Sequence, residues 1–272
     1  MKECTRHAVQ SVVRECWQNR GRLLSLAVYD IKVRNSGTWF GFLWNFFNPA
    51  LQILVYWFVF AIGLKSAAPQ GEYSYLIWMI MGIIPWFYIS EALNASTLAI
   101  YGFQAELKRM RFPVAIVPIK TVLASLISHV MAMAVVMGIF FASGYRIGIH
   151  FLSVFYYMAA SFVFLAGYAL LASAITVLFK DFQKIISSVI RLLFYISPVV
   201  WVQDSLSGSI AKALRLNPLA YLINGYRDSI LYNQPFYAEW RYGLYFWAIT
   251  LLLLWAGCTL HMRFRKRFMD VI

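Results

Sequence analysis

Glu91 and His129 each interrupt an apolar stretch long enough to cross a membrane, and Arg227 and Asp228 interrupt a shorter one. An ionisable group inside lipid is a functional candidate by default, because it needs a partner, a cavity or water. For Glu91, expected near the outer or middle part of its stretch, two roles follow: packing a helix or polar cavity, or gating a substrate. For His129 they are a hydrogen-bonded interior residue or a proton relay. The cysteines Cys4, Cys16 and Cys258 have neither metal-ligand spacing nor a disulfide framework. No G-x-x-x-x-G-K-[ST], H-E-x-x-H, C-x-x-C or G-x-S-x-G pattern occurs, so P-loop nucleotide binding and the common hydrolase motifs are excluded. A membrane transferase would gather several acids at one interface, and this sequence does not.

The sharper signal is in two short polar loops between apolar stretches. QAELKRMRFP at 104–113 is basic and ends on Pro113, and KDFQK at 180–184 is equally short. Each also holds one aromatic, Phe112 and Phe182. A positive-inside anchor needs only charge, whereas a docking knob needs an apolar residue inside a charged rim. Both readings fit the loops taken alone.

The elements that position them follow from composition. The chain is 61% hydrophobic and 13% charged, with mean hydropathy +0.66; soluble domains carry about 25% charged residues. An all-α membrane protein is expected. About 20 apolar residues make a span, and six stretches qualify: 38–64, 73–100, 113–144, 151–179, 185–202 and 242–262. With the N-terminus inside, the inner segments hold 18 of the 24 Lys and Arg, which puts both termini in the cytosol. Basic residues cluster at span ends and aromatics lie inside the spans, so nucleic-acid binding is excluded as the meaning of the +13 charge. No cleavable signal peptide is visible.

Residues 1–37 are expected to form an amphipathic interfacial arm, with Val9, Val13, Trp17, Leu24 and Val28 on one face. Residues 38–272 form the membrane domain. Between spans five and six, Asn217-Pro218 caps an apolar run ending at Leu231 that is too short to span. It reads as an outer re-entrant hairpin. The aromatics make up 18% of the chain. The interfacial belt accounts for most of them, and the remainder suggest a lined passage suited to glycosylated, amphipathic cargo. Its candidate lining is Tyr56, Trp57, Trp86, Tyr88, Glu91 and Tyr195.

At these residues the sequence resembles a known family. LAVYDIKVR at 26–34, GFLW at 41–44, Asn48-Pro49 and GIIPW at 82–86 resemble the type-2 ATP-binding-cassette polysaccharide exporter permeases. Phe112-Pro113, Pro118, Lys180-Asp181, SPV at 197–199 and NPL at 217–219 follow in the family's order. The likeness runs from about residue 22 to 262 and is strongest to the wall teichoic acid branch, with O-antigen and capsule exporters similar. One departure is Tyr29, where many relatives carry arginine. The resemblance implies a half-transporter that pairs with a second copy of itself and with two cytosolic ATPase subunits. ATP and Mg would be bound by those subunits and no cofactor by this chain. It implies a coupling role for Glu106, Lys108, Arg109, Arg111 and Phe112, to which the second loop adds Lys180, Asp181 and Phe182. The implied cargo is a polyprenyl-diphosphate-linked polymer taken from membrane lipid. Lys32, Arg34 and Arg191, near the inner mouth, are candidates for attracting its diphosphate; the alternative for each is a snorkelling anchor.

Overall fold

The computed structural model describes residues 7–34, 36–63, 73–109, 113–201 and 214–271. Arg111 and Phe112 lie outside them, as do residues 202–213 of the expected hairpin. Among the described residues every regular element is helical.

Two helices form the arm: α1 (Ala8–Gln18) and α2 (Arg20–Arg34). Then α3 (Trp44–Trp57) runs on through a π-helical turn, Phe58–Gly63. The central helix α4 is Tyr75–Thr97. Short helices α5 (Ala99–Gly102) and α6 (Gln104–Arg109) lead to α7 (Ile116–Ala142). After a 3-10 turn come α8 (Ser153–Leu178) and α9 (Phe182–Ile196), and then α10 (Pro218–Ile230) and α11 (Trp240–Val271).

Among the described residues, five helices are long and apolar enough to cross a membrane: Trp44–Gly63, Tyr75–Thr97, Ile116–Ala142, Ile149–Leu178 and Trp240–Arg265. The stretch expected as span five gives only the 15 residues of α9, roughly 22 Å at the helical rise. It stops where Ser197 leaves the helix for extended backbone ahead of Pro198.

The core lies between α4, α7, α8 and α10. An apolar sequence all round its circumference suits α4 to a central place; Met79, Ile83, Ile89 and Ala92 are fully enclosed. Helices α8 and α11 cross closely. A Cβ on Gly257 would overlap the carbonyl oxygen of Gly167, and one on Gly167 would stand 2.8 Å from the backbone nitrogen of Leu254. Small residues at such a crossing let backbones approach in lipid, where packing replaces the hydrophobic effect. In contrast, α3 buries no residue at all.

The arm is fastened to the bundle by small residues. Ala8 and Val12 of α1 pack with Ala115, Leu170 and Cys258, and Ala27 and Ile31 of α2 pack against Ala124. Most of the apolar face read from the sequence is uncovered: Val13, Trp17, Leu24 and Val28 remain exposed, while Val9 is half-buried in the contact made by α1.

At the far end from the arm, Asn217 caps α10 by accepting a hydrogen bond from the Leu219 amide at 3.0 Å, with Pro218 in the first turn as expected. α10 is buried along nearly its whole length, so it is a half-length helix set into the bundle.

Candidate functional site

Three ion pairs fasten the arm. Glu15 of α1 accepts from Arg265 of α11 at 2.6 Å, and Asp30 of α2 from Lys120 of α7 at 2.5 Å. Arg34, the last residue of α2, pairs with Glu91 of α4. Glu91 is therefore near the arm end of its helix, six residues before Thr97, which corrects the outer or middle placement expected. Its charge is met by Arg34, one of the bases expected to attract a diphosphate. Lys32 and Arg191 are exposed, and Arg191 donates to the Ser188 hydroxyl at 3.1 Å.

The two polar loops converge at this same end. α5 is sunk into a cluster of Ala99, Ile100, Val117, Val177 and Phe268, contributed by α5, α7, α8 and α11. α6 leaves directly from it and carries exposed Glu106; Lys108 and Arg109 continue the same helix. Lys180 from the second loop places its ammonium 5.1 Å from the centroid of the Tyr101 ring. The Tyr101 hydroxyl, by hydrogen bonding and then by charge, raises the Lys180 pKa above the ordinary lysine value. Lys120 lies over Phe103 at 4.9 Å. Sequence reading missed Tyr101 and Phe103; the only signal was a pair of aromatics immediately before a charged run. Asp181 pairs with Lys184 at 3.0 Å on an exposed turn, and Phe182 is half-buried.

The aromatics expected to line a passage divide. Tyr195 is exposed, and Tyr56 and Trp57 are half-buried on α3. Tyr56 stacks on Phe194 at 5.0 Å, with Trp86 behind that ring at 5.6 Å. Trp86 and Tyr88 are themselves buried, at 4% and 2% exposure, so neither offers a free ring face. Tyr88 instead stacks on His129, whose Nε2 is 2.9 Å from the Tyr226 hydroxyl. His129 is thus a hydrogen-bonded interior residue. The surface shared by α3 and α9 is strongly apolar and uncovered: Leu51, Leu54, Phe58, Ile185, Val189 and Leu192 are all exposed.

At the far end, buried Arg227 finds the partners its depth demands. It donates to the carbonyls of Trp78 at 3.2 Å and of Pro198 and Val199 at 2.5 Å each. One side chain thereby ties α4, α10 and the segment after α9. Among the described residues no cluster of His, Cys, Asp and Glu could hold a metal.

Among the described residues, five long apolar helices define the class: a multi-pass helical membrane protein. The sequence pattern of the ABC-2 type transporters matches residues 23–231, and the chain belongs to that family. It is 28% identical to the O-antigen export system permease protein RfbA of Myxococcus xanthus over 263 residues, covering 96% of this chain and 99% of that protein. Against the protein of the same name from Klebsiella pneumoniae it is 24% identical, covering 93% and 97%. With the polysialic acid transport protein KpsM of Escherichia coli it shares 22% identity over 87% of this chain and 91% of the relative.

Proposed function

We propose that this chain is the membrane half of an ATP-driven exporter for a lipid-linked polysaccharide. The observation that carries this reading is similarity along most of the chain to proteins named for O-antigen export and for polysialic acid transport. Those names favour an O-antigen-like or capsule-like cargo; wall teichoic acid, the first expectation from the motifs, is the other polymer of this kind. A polyprenyl diphosphate anchors the cargo in the bilayer while the polar chain crosses.

The chain sits in the bacterial cytoplasmic membrane, with the arm end and both termini in the cytosol. It crosses six times, with α9 and the segment after it making the fifth crossing. α10 belongs to an outer re-entrant hairpin, and the uncovered face of α1 and α2 lies in the inner interface as a unit distinct from residues 38–272. Two copies associate through α3 and α9, whose unburied apolar faces support this. Tyr56, Trp57 and Tyr195 line the passage between them, and Arg191 on the same helix as Tyr195 receives the diphosphate.

Two ATPase subunits, which bind the ATP and Mg, dock below on Glu106, Lys108, Arg109, Arg111 and Phe112, and on the loop of Lys180, Asp181 and Phe182. Because α5 is embedded among three other helices, α7, α8 and α11, movement of α6 is carried directly into the bundle. Cargo then moves by its differing affinity for the two arrangements.

The test is co-reconstitution with the cognate ATPase in vesicles, scoring lipid-linked polymer that becomes accessible to an added lectin. Charge reversal at Glu106, Arg109 and Arg111 should leave the complex assembled and hydrolysing ATP while polymer exposure falls. Undiminished exposure by an assembled triple variant would refute the coupling role. Wild-type vesicles that turn over ATP without exposing any polymer would refute the cargo.

A further inference from the structure

At the arm end a cavity of about 510 Å³ opens between α2, the 36–41 linker and α7. Its floor is aliphatic: Val28 and Ile31 from the arm, Ile127 and Met131 from α7. Its rim carries Lys32 and Ser36. No residue of α9 lines it, so it is separate from the face assigned to the passage.

The charges around this cavity are not alike. Asp30 and Arg34, two residues to either side of Lys32, are each engaged, by Lys120 and by Glu91. Lys32 is exposed and takes part in no ion pair among the described residues. An uncompensated ammonium therefore stands over an aliphatic trough. Ser36 spends its hydroxyl hydrogen on the Val33 carbonyl at 2.7 Å, which leaves the oxygen's lone pairs free to accept.

We infer that this cavity binds one anionic glycerophospholipid of the inner leaflet. An acyl chain lies on Val28, Ile31, Ile127 and Met131, the phosphodiester pairs with Lys32, and a headgroup hydroxyl donates to Ser36. A single cation matches the single charge of a phosphodiester; a diphosphate carries more charge than Lys32 can meet. The occupant bridges α2 and α7 beside the Asp30–Lys120 pair, and so fastens the arm to the bundle. This rests on the membrane placement of the arm end and not on the identity of the cargo.

The experiment uses the purified full chain in detergent, without ATPase or cargo. Dioleoylphosphatidylglycerol and dioleoylphosphatidylcholine are added separately, and retained lipid is counted by native mass spectrometry alongside thermal unfolding. The expected result is one phosphatidylglycerol held in preference to phosphatidylcholine, with a raised unfolding temperature. Lys32→Gln should lower phosphatidylglycerol retention about fivefold, the factor one lysine contributes at an anionic surface. Ile127→Trp, which fills the floor and keeps Lys32, should lower retention as well and serves if Lys32→Gln does not fold. Equal retention of the two lipids by the wild type would overturn the inference. So would wild-type retention by both variants, displacement by inorganic phosphate alone, or displacement by an equimolar polyprenyl diphosphate, which would make this a cargo site. Neither ATP nor polymer enters the measurement, so its failure leaves the export reading standing, and the reverse holds too.

Discussion

The guanidinium of Arg227 lies flat over the Trp78 indole, 3.6 Å from the ring centroid, and donates to the carbonyl of the same residue. Stacking and hydrogen bonding to one residue fix the arginine's plane, and the two remaining donations hold Pro198 and Val199. Arg227→Ala would orphan the buried carbonyls of Pro198 and Val199 at about 1–3 kcal/mol each, while the Trp78 carbonyl keeps its place in the helix ladder. It should lower the unfolding temperature in detergent more than Arg191→Ala, a change at an exposed site. Equal effects would show that the clamp contributes nothing.

Gly82 makes room for that clamp. A Cβ there would overlap the Arg227 guanidinium and stand 2.8 Å from the Val199 carbonyl oxygen. Overpacking of this kind costs about 1–3 kcal/mol. Gly82→Ala is expected to destabilise the wild type and to cost less in an Arg227→Ala background, where only the approach to the Val199 carbonyl remains. A double-mutant cycle reads this coupling directly; simple additivity would refute it.

The three arm pairs should differ in strength by burial. Lys120 is 6% exposed as a side chain, whereas Arg34 and Glu91 are each about a third exposed, at 37% and 35%. Asp30→Asn leaves a buried ammonium uncompensated and should cost on the order of 3 kcal/mol. Glu91→Gln should cost under about 1 kcal/mol, as expected for a solvent-screened pair. Chemical unfolding of the two variants checks the order, and a larger loss from Glu91→Gln would reverse the argument.

Burial, and secondarily the charge of Glu15, pushes the Cys16 thiol up to about 11. The neutral form is favoured in the fold, so the thiolate needed for alkylation is scarce at neutral pH and grows as pH rises towards 11. In a Cys4→Ser, Cys258→Ser background, maleimide labelling at pH 7.5 should be slow and should accelerate on denaturation in SDS. Fast labelling of the folded protein at pH 7.5 would mean that α1 is not docked.

Much of this architecture is legible in the sequence because lipid imposes it. Five spans, the Asn217-Pro218 helix start and the need of Arg227 for partners all follow from length, hydropathy and the cost of unpaired charge. The arm is subtler. An apolar periodicity marks the face made of large residues, but the contact with the bundle is made by Ala8, Val12, Ala27 and Ile31, and the low hydropathy of alanine hides the part that Ala8 and Ala27 play. Glu91 was placed too far from the arm because its partner Arg34 is 57 positions away, and no local pattern links them. The short span at α9 was likewise hidden: the SPV motif reads as apolar, yet its carbonyls are turned inward to serve Arg227. Trp86 and Tyr88 illustrate the limit for aromatics, since composition cannot say whether a ring faces a passage or a neighbouring helix.

Proteins emerge from the ribosome N-terminus first. Among the described residues α3 is the first long apolar helix in chain order, and none of its residues is fully buried by its own chain. It must be inserted as a lone helix in lipid, stable before the rest of the bundle is synthesised. Completion of the chain covers it only on one side, through contacts such as Tyr56 on Phe194. Biogenesis of this chain thus leaves one face of its first long helix, with Leu51, Leu54 and Phe58, uncovered by the chain itself.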